Sequence, residues 1–313
     1  MLRCMFKDVS GRELIAPPLL SLSVNIDEGV PADSLYAVFP YDDFGELTEI
    51  KLLDGSDLLF VGVVDEQELR QTHHGEFLSV SARSLAALLL DNEAMPCAYD
   101  HPSMRFIFER YAAPFGVTMC ECDDAVYFGE QTILKGFSCW RVLKKFCAAC
   151  YSSLPRISSD GVLYPKGLAS DKRVIFGSGG VRYTSLSVTK KRCEELSAVY
   201  VKASDAGSYT VPVRNRDAII RGIRRERYLN AALTESPMRC ADMMLKNSRA
   251  KAYTVKLRCP SCLIGCEGYR AELRDSPAVT EKDLYISALH FRMTENGAYT
   301  DVTLKRRNSD VDQ

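Results

Sequence analysis

Between Asp54 and Ala94 the spacing of apolar positions changes its period. From Gly75 to Arg83, Leu78, Val80 and Ala82 alternate with Ser79, Ser81 and Arg83, the period-two pattern of a strand with one wet face. After Ser84 the period lengthens, and Leu85, Leu88 and Leu89 fall on one face of a helix. With the apolar run Leu58 to Val64 before it, the segment reads as a hairpin running into a short helix. Such a unit suits the closing of a small barrel and an exit into another domain.

Similar short runs fill the rest of residues 1–92: Leu20 to Ile26, Leu35 to Phe39 and Glu49 to Leu53. Turn residues separate them, among them Gly11, Asp27-Glu28-Gly29, Asp42 to Gly45 and Asp54-Gly55. Residues 93–180 are mixed. A helix is predicted within Pro102 to Phe115, broken by Pro114 and finished at Gly116. A second is predicted over Ser138 to Tyr151, with Ser138 as N-cap and Cys139, Leu143, Phe146, Cys147 and Cys150 on one face. Short strands follow around Asp160-Gly161 and at Arg173 to Phe176, before Gly177-Ser178-Gly179-Gly180.

Strands return over residues 181–313, at Leu186 to Thr189, Ala198 to Ala203, Ser208 to Val213, Tyr253 to Leu257, Tyr269 to Leu273, Leu284 to Met293 and Tyr299 to Leu304. A helix capped at Ser236-Pro237 interrupts them, with Ala241, Met244, Leu245 and Ser248 on one face. Asn296-Gly297 is a hairpin turn, and the chain ends in polar RRNSDVDQ. The expected class is α+β, mainly β, with two β-rich domains (1–92 and 181–313) flanking a small α/β insert (93–180). No residue-level internal repeat is visible.

Composition adds that the chain is an ordinary globular one, 46% hydrophobic and 26% charged over 313 residues. No run reaches the ~18–20 apolar residues of a membrane span, and MLRCMFKDVSGREL lacks the apolar stretch of a signal peptide. Assembly in a cytoplasm is the expectation, and the 12 cysteines are then expected as reduced thiols. The net charge of −1 hides an uneven spread. Residues 27–68 hold acids from Asp27 to Glu68 against Lys51 alone, whereas Arg214, Arg216, Arg221, Arg224, Arg225 and Arg227 crowd a later segment. Head-to-tail contact between unlike surfaces of one protein would use such asymmetry.

Several motifs suggest chemistry and then fall short of it. Lys135-Gly136-Phe137-Ser138-Cys139-Trp140 is similar to the nucleophile segment of papain-like proteases, with His290 and Asn296 following. A cysteine-dependent hydrolase using Cys139 is therefore the alternative reading. Against it, Phe137 replaces the expected glycine region, Gln131 is offset from an oxyanion donor's place, and Asn296 is accounted for by its turn. Cys259-Pro260-Ser261-Cys262 with Cys266 could hold zinc, but a fourth ligand is missing unless Cys240 supplies it. Cys147 and Cys150 share a helix's apolar face and read as packing. The arginine segment lacks the interleaved aromatics and overall basic charge of a nucleic-acid interface. His73-His74 reads as a solvated hairpin loop. No catalytic, cofactor-binding or metal residue is assigned, and no cofactor is expected.

In layout and in several segments the chain resembles the baseplate hub proteins of contractile phage tails, the family of late control protein D and the Mu-like tail hubs. The segments are LLFVGVVDEQELRQTHHGEFLSVSARSLAALLLDNEA, PSMRFIFERYAAPFGV, GFSCWRVLKKFCAACYSSLPRISSDGVLYPKG and DLYISALHFRMTENGAYTDVTLKRR. The resemblance implies a homotrimeric ring in which each chain supplies two tube-type β-barrels, with residues 93–180 decorating it. Six barrels would meet a hexameric tail tube, and the threefold underside a trimeric spike. It implies a virion protein of the tail baseplate, assembled in the bacterial host cytoplasm beside other baseplate proteins. It supplies no catalytic or metal residues.

Overall fold

The computed structural model describes residues 1–73, 75–202, 208–230, 237–274, 276–279 and 283–307. His74, the proposed cap Ser236, the predicted strand end at Ala203 and the polar terminus from residue 308 lie outside the described residues.

The first part of the chain is β1 (Leu2–Asp8), β2 (Glu13–Ile15), β3 (Ser21–Asp27), β4 (Ser34–Pro40), β5 (Leu47–Asp54), β6 (Asp57–Thr72), β7 (Gly75–Ser84) and α1 (Ala86–Asp91). The middle carries β8 (Cys97–Asp100), α2 (Met104–Tyr111), β9 (Thr118–Met119), β10 (Glu130–Ile133), α3 (Cys139–Tyr151), β11 (Arg156–Ile157) and β12 (Val162–Tyr164). Then come β13 (Arg173–Phe176), β14 (Ser185–Lys190), β15 (Ala198–Val201), β16 (Val211–Arg214), α4 (Arg216–Ile220), β17 (Glu226–Leu229) and α5 (Pro237–Ala252). The last strands are β18 (Tyr253–Cys259), β19 (Arg270–Leu273), β20 (Leu284–Thr294) and β21 (Gly297–Arg306). The expected class, α+β and mainly β, is what the structure has.

Among the described residues, thirteen strands from both ends of the chain join one sheet, in the order β14-β18-β21-β20-β3-β4-β7-β6-β5-β1-β2, with β19 and β13 branching from β20. The seam is the antiparallel pair β20–β3, where Leu289 faces Ile26, Phe291 faces Val24 and Met293 faces Leu22. A slip of one residue there would turn these side chains out of the core, so burial holds the register. The sheet curls: Phe6 of β1 lies edge-on to Phe39 of β4 with ring centroids 5.1 Å apart, although these strands are not neighbours. One apolar cluster runs from Phe6, Phe39 and Phe60 through to Tyr253, Leu257, Leu289 and Phe291.

A second cluster joins α1, α2 and α3 through Leu85, Leu89, Ile107, Leu143, Phe146 and Ile157. The start of α3 was legible in sequence, whereas the cap of α2 was not read there. Ser138 caps α3 by accepting from the Arg141 amide, and Ser103 caps α2 by accepting from the Phe106 amide. A single 3-10 turn at Ala113–Phe115 closes on Gly116, whose φ of 78° is the left-handed conformation that glycine adopts without strain. A third, small cluster packs Ala241 and Leu245 of α5 against Val199 and Val201 of β15.

The first two clusters meet at a buried polar knot. Arg156, opening β11, donates through Nη1 to the carbonyls of Val30 (2.6 Å) and Pro31 (3.3 Å) and through Nη2 to the Asp33 carboxylate. Both side chains of this ion pair are almost wholly buried, at 6% and 0% exposure. Burial pushes the Asp33 carboxyl up to about 7, against the pull of the guanidinium, and the nearby Glu267 carboxylate adds to the rise.

Candidate assembly surfaces

Three outward-facing features of the fold can make contacts, and none of them is a catalytic constellation. The first is the β6–β7 hairpin. Ladder register shifts after Val64, a bulge, and the following residues Asp65 to Thr72 are all exposed. The root is braced: Arg83 grips Asp65 at 2.6 and 2.9 Å and reaches Asp91 at 2.7 Å. Gln67 accepts from the Leu47 amide and donates to the Gly45 carbonyl, both at 2.7 Å. Beyond that brace the arm presents Glu66, an exposed Leu69 and a Glu68–Arg70 ion pair of 2.8 Å.

The second is the wet face of the shared sheet across β18, β21, β20 and β3, which forms a recess of about 730 Å³. Side chains there answer one another. Arg258 grips Asp301 with two hydrogen bonds of 2.7 and 2.9 Å, which holds the Asp301 carboxyl below its ordinary range. Arg292 donates to His290 Nε2 at 2.9 Å and the Ser23 hydroxyl lies 3.2 Å from the same atom. That nitrogen is therefore an acceptor, and burial together with Arg292 lowers the His290 pKa, keeping the ring neutral.

The third is the arginine segment, which the sequence treated as one basic surface. The structure divides it. Asn215 caps α4 by accepting from the Ala218 amide, and Arg221 turns inward to pair with Glu195, which is only 1% exposed. Arg225 donates through Nη1 to the Arg192 carbonyl at 2.9 Å. Arg214, Arg216, Arg224 and Arg227 face solvent, beside Ile220 and Tyr228, themselves 83% and 63% exposed. Arg221 thus belongs to the fold and cannot serve as a probe of an outside contact.

The residues that suggested chemistry stay apart. Cys139 opens α3, which packs on α1, α2 and α5, and burial raises its pKa above that of a free thiol. A nucleophilic cysteine needs the opposite shift. His290 lies on the wet face of the sheet with Ser23 and Arg292, Asn296 is in its turn, and Gln131 donates its amide to the Val142 carbonyl. Cys259 is buried at the end of β18 and Cys266 half-buried, both pushed up to about 11 by burial, whereas Cys262 is exposed. Cys240 sits in α5. Among the described residues no three potential ligands are placed to hold a metal ion. Cys147 and Cys150 lie on the packed face of α3, with Cys150 pushed up to about 11. No helix among the described residues is long and apolar enough to cross a membrane.

The sequence matches no protein-family model and no curated protein. Solved structures do match, end to end. The tail protein from Neisseria meningitidis MC58 superposes with a TM-score of 0.77 at 16% identity, over 97% of this chain and 96% of that one. The 43 kDa tail protein of prophage MuSo2 from Shewanella oneidensis gives 0.75 at 14% identity, over 98% of each chain. An E. coli component of the type VI secretion system, described as similar to the T4 tail proteins gp27 and gp5, gives 0.58 at 11% identity over 99% of this chain and 77% of that one. The chain has the fold of phage tail proteins.

Proposed function

We propose that this chain is a structural baseplate hub of a contractile phage tail or phage-tail-like particle. It forms a homotrimeric ring that adapts a hexameric tail tube to a trimeric spike, beside other baseplate proteins, and is assembled in the bacterial host cytoplasm. In this reading residues 1–92 and 181–313 each supply one tube-type barrel, and residues 93–180 decorate the ring. The observation that carries it is the fold likeness to tail proteins over the whole length of both chains.

Physical features support the same reading. The curled sheet that joins strands from both ends of the chain through β3 and β20 is a shape suited to an arc of a ring wall. Its wet face is lined by internally paired charges and hydroxyls, as befits a passage that should hold nothing tightly. The arm with Glu66 at its exposed edge and the exposed Arg216, Arg224 and Arg227 give unlike surfaces for a heterologous, closing contact between copies. No turnover of any substrate is part of this role.

The test is mass by light scattering and negative-stain imaging, of the chain alone and co-expressed with its cognate tube and spike proteins. Three copies per particle, in a ring with six similar lobes, is the expected result. A monomer under both conditions refutes the hub. Charge reversal at Arg216, Arg224 and Arg227 should weaken the ring, while Arg221→Glu is expected to damage the fold through Glu195.

A further inference from the structure

The small sheet β16-β15-β17 packs one face on α5 through Val199, Val201, Val213 and Leu229. On the opposite face three tyrosine rings meet. Tyr200 of β15 stands across from Tyr228 of β17, their rings stacked with centroids 5.4 Å apart and 21° between planes, and Tyr209 lies edge-on to Tyr228, also at 5.4 Å. They are not sealed in, since Tyr228 and Tyr209 are 63% and 38% exposed. The register puts Arg214 across from Ala198, two positions along β15 from Tyr200, so Arg214 shares the tyrosine face. Arg216 opens α4 directly after β16, and Arg224 lies two residues before β17, at the same end of the sheet. Among the described residues none of these three exposed arginines pairs with a carboxylate. Carboxylates of the same segment are already taken, Glu195 by Arg221, Asp217 by Arg249 at 3.7 Å and Glu226 by the Tyr200 hydroxyl, which donates to it at 3.2 Å.

We propose that this face binds single-stranded nucleic acid, its bases stacked on the tyrosine rings and its phosphates at the arginines. Any base has a face to stack, and a guanidinium takes two phosphate oxygens at once, so binding is tolerant of sequence. A duplex keeps its bases stacked on one another and offers the rings no free face. An acidic protein segment would use the arginines and leave the tyrosines idle, so the aromatic stack decides for nucleic acid. The arginine segment carries no interleaved aromatics in sequence because Tyr200 and Tyr209 precede it and Tyr228 follows it. Folding brings the two sides together. Arg216 and Arg224 are also part of the surface proposed for contact between copies, so a bound strand and a neighbouring copy compete for them. The tyrosines and Arg214 are outside that contact, and the inference does not rest on the ring.

The experiment titrates the full chain into a fluorescein-labelled thymidine dodecanucleotide and follows anisotropy over a range of salt concentrations. Saturable binding is expected, weakened about tenfold by Tyr228→Ala. The logarithm of affinity should fall linearly with the logarithm of salt, with a slope about 0.7 shallower in Arg214→Ala. Phe128→Ala removes an aromatic side chain that is 95% exposed elsewhere on the chain and should leave the affinity unchanged. All three substitutions are at exposed positions, and circular dichroism checks that the fold is kept. The inference is overturned if the oligonucleotide does not bind, if Tyr228→Ala binds it as tightly as the native chain, or if Phe128→Ala weakens it as much. Displacement by a duplex of the same length or by polyaspartate as readily as by the unlabelled strand overturns it too.

Discussion

Arg156→Met tests whether the buried knot fastens the helical layer to the sheet. Methionine keeps much of the length and apolar stem but removes the charge and the donors. In the native chain the guanidinium serves the Val30 and Pro31 carbonyls and the Asp33 carboxylate, so the variant strips donors from three acceptors. Breaking a buried ion pair from one side costs about 3–5 kcal/mol, most of it from the charge left behind. That cost depends on pH in a way the structure dictates. Asp33 already has a carboxyl raised from 3.8 to about 7, and losing Arg156 raises it further. A carboxyl raised on folding adds stability at low pH that fades as pH climbs toward the folded value. Below about 7 Asp33 is protonated in both proteins, so the variant loses the guanidinium's hydrogen bonds and packing but leaves no carboxylate charge behind, about 1–3 kcal/mol. Above 7 the native carboxylate ionises beside arginine and the variant's must ionise unpaired or stay protonated, so the gap widens. Urea denaturation at pH 6 and pH 9 should show a larger loss at pH 9, and Arg156→Met with Asp33→Asn should recover part of it. A loss below 1 kcal/mol, or one of equal size at both pH values, would refute the reasoning.

Two further outcomes follow from packing. Gly62→Ala on β6 would place a Cβ 2.3 Å from the Arg83 carbonyl oxygen of the paired strand and 2.7 Å from the Phe60 ring, so the hairpin must open locally. A loss of about 1–3 kcal/mol in urea denaturation is expected, and an unchanged midpoint would contradict it. Cys139 should alkylate with iodoacetamide no faster than an ordinary thiol at pH 7, because burial raises its pKa; fast, selective labelling by mass spectrometry would revive a nucleophilic role.

Local grammar was readable from single residues. Ser138 announced its helix, Asn296-Gly297 its hairpin, and the alternation of Leu78, Val80 and Ala82 the buried row of β7. Elements were lost where local signals conflict. The buried row of β1 runs Cys4, Phe6, Asp8, and an aspartate in a core row disguises a strand. Asp8 belongs there because its carboxylate accepts from the Ser10 and Arg12 amides and closes the turn to β2. β6 continues to Thr72 with both faces wet, so no alternation marks its second half. α4 has five residues, too few for a periodic stripe.

Candidate chemistry was legible only as doubt about each motif, since spacing along the chain says nothing of distance in space. The partitioning of the arginine segment needed Glu195, which the fold buries opposite Arg221. That arrangement leaves no trace in residue order.

What the sequence by itself determined was the kind and order of the pieces: short strands, capped helices, turns, and an uneven spread of charge. These depend on neighbours within a few residues, where side-chain period and capping act directly. Only the tertiary structure decided that β3 meets β20 across the length of the chain, that Arg156 crosses to Asp33, and that Cys139 and His290 never share a site. A strand edge offers the same backbone donors and acceptors to any partner. Its mate is chosen by burying apolar faces and matching buried charges together, a property of the whole chain.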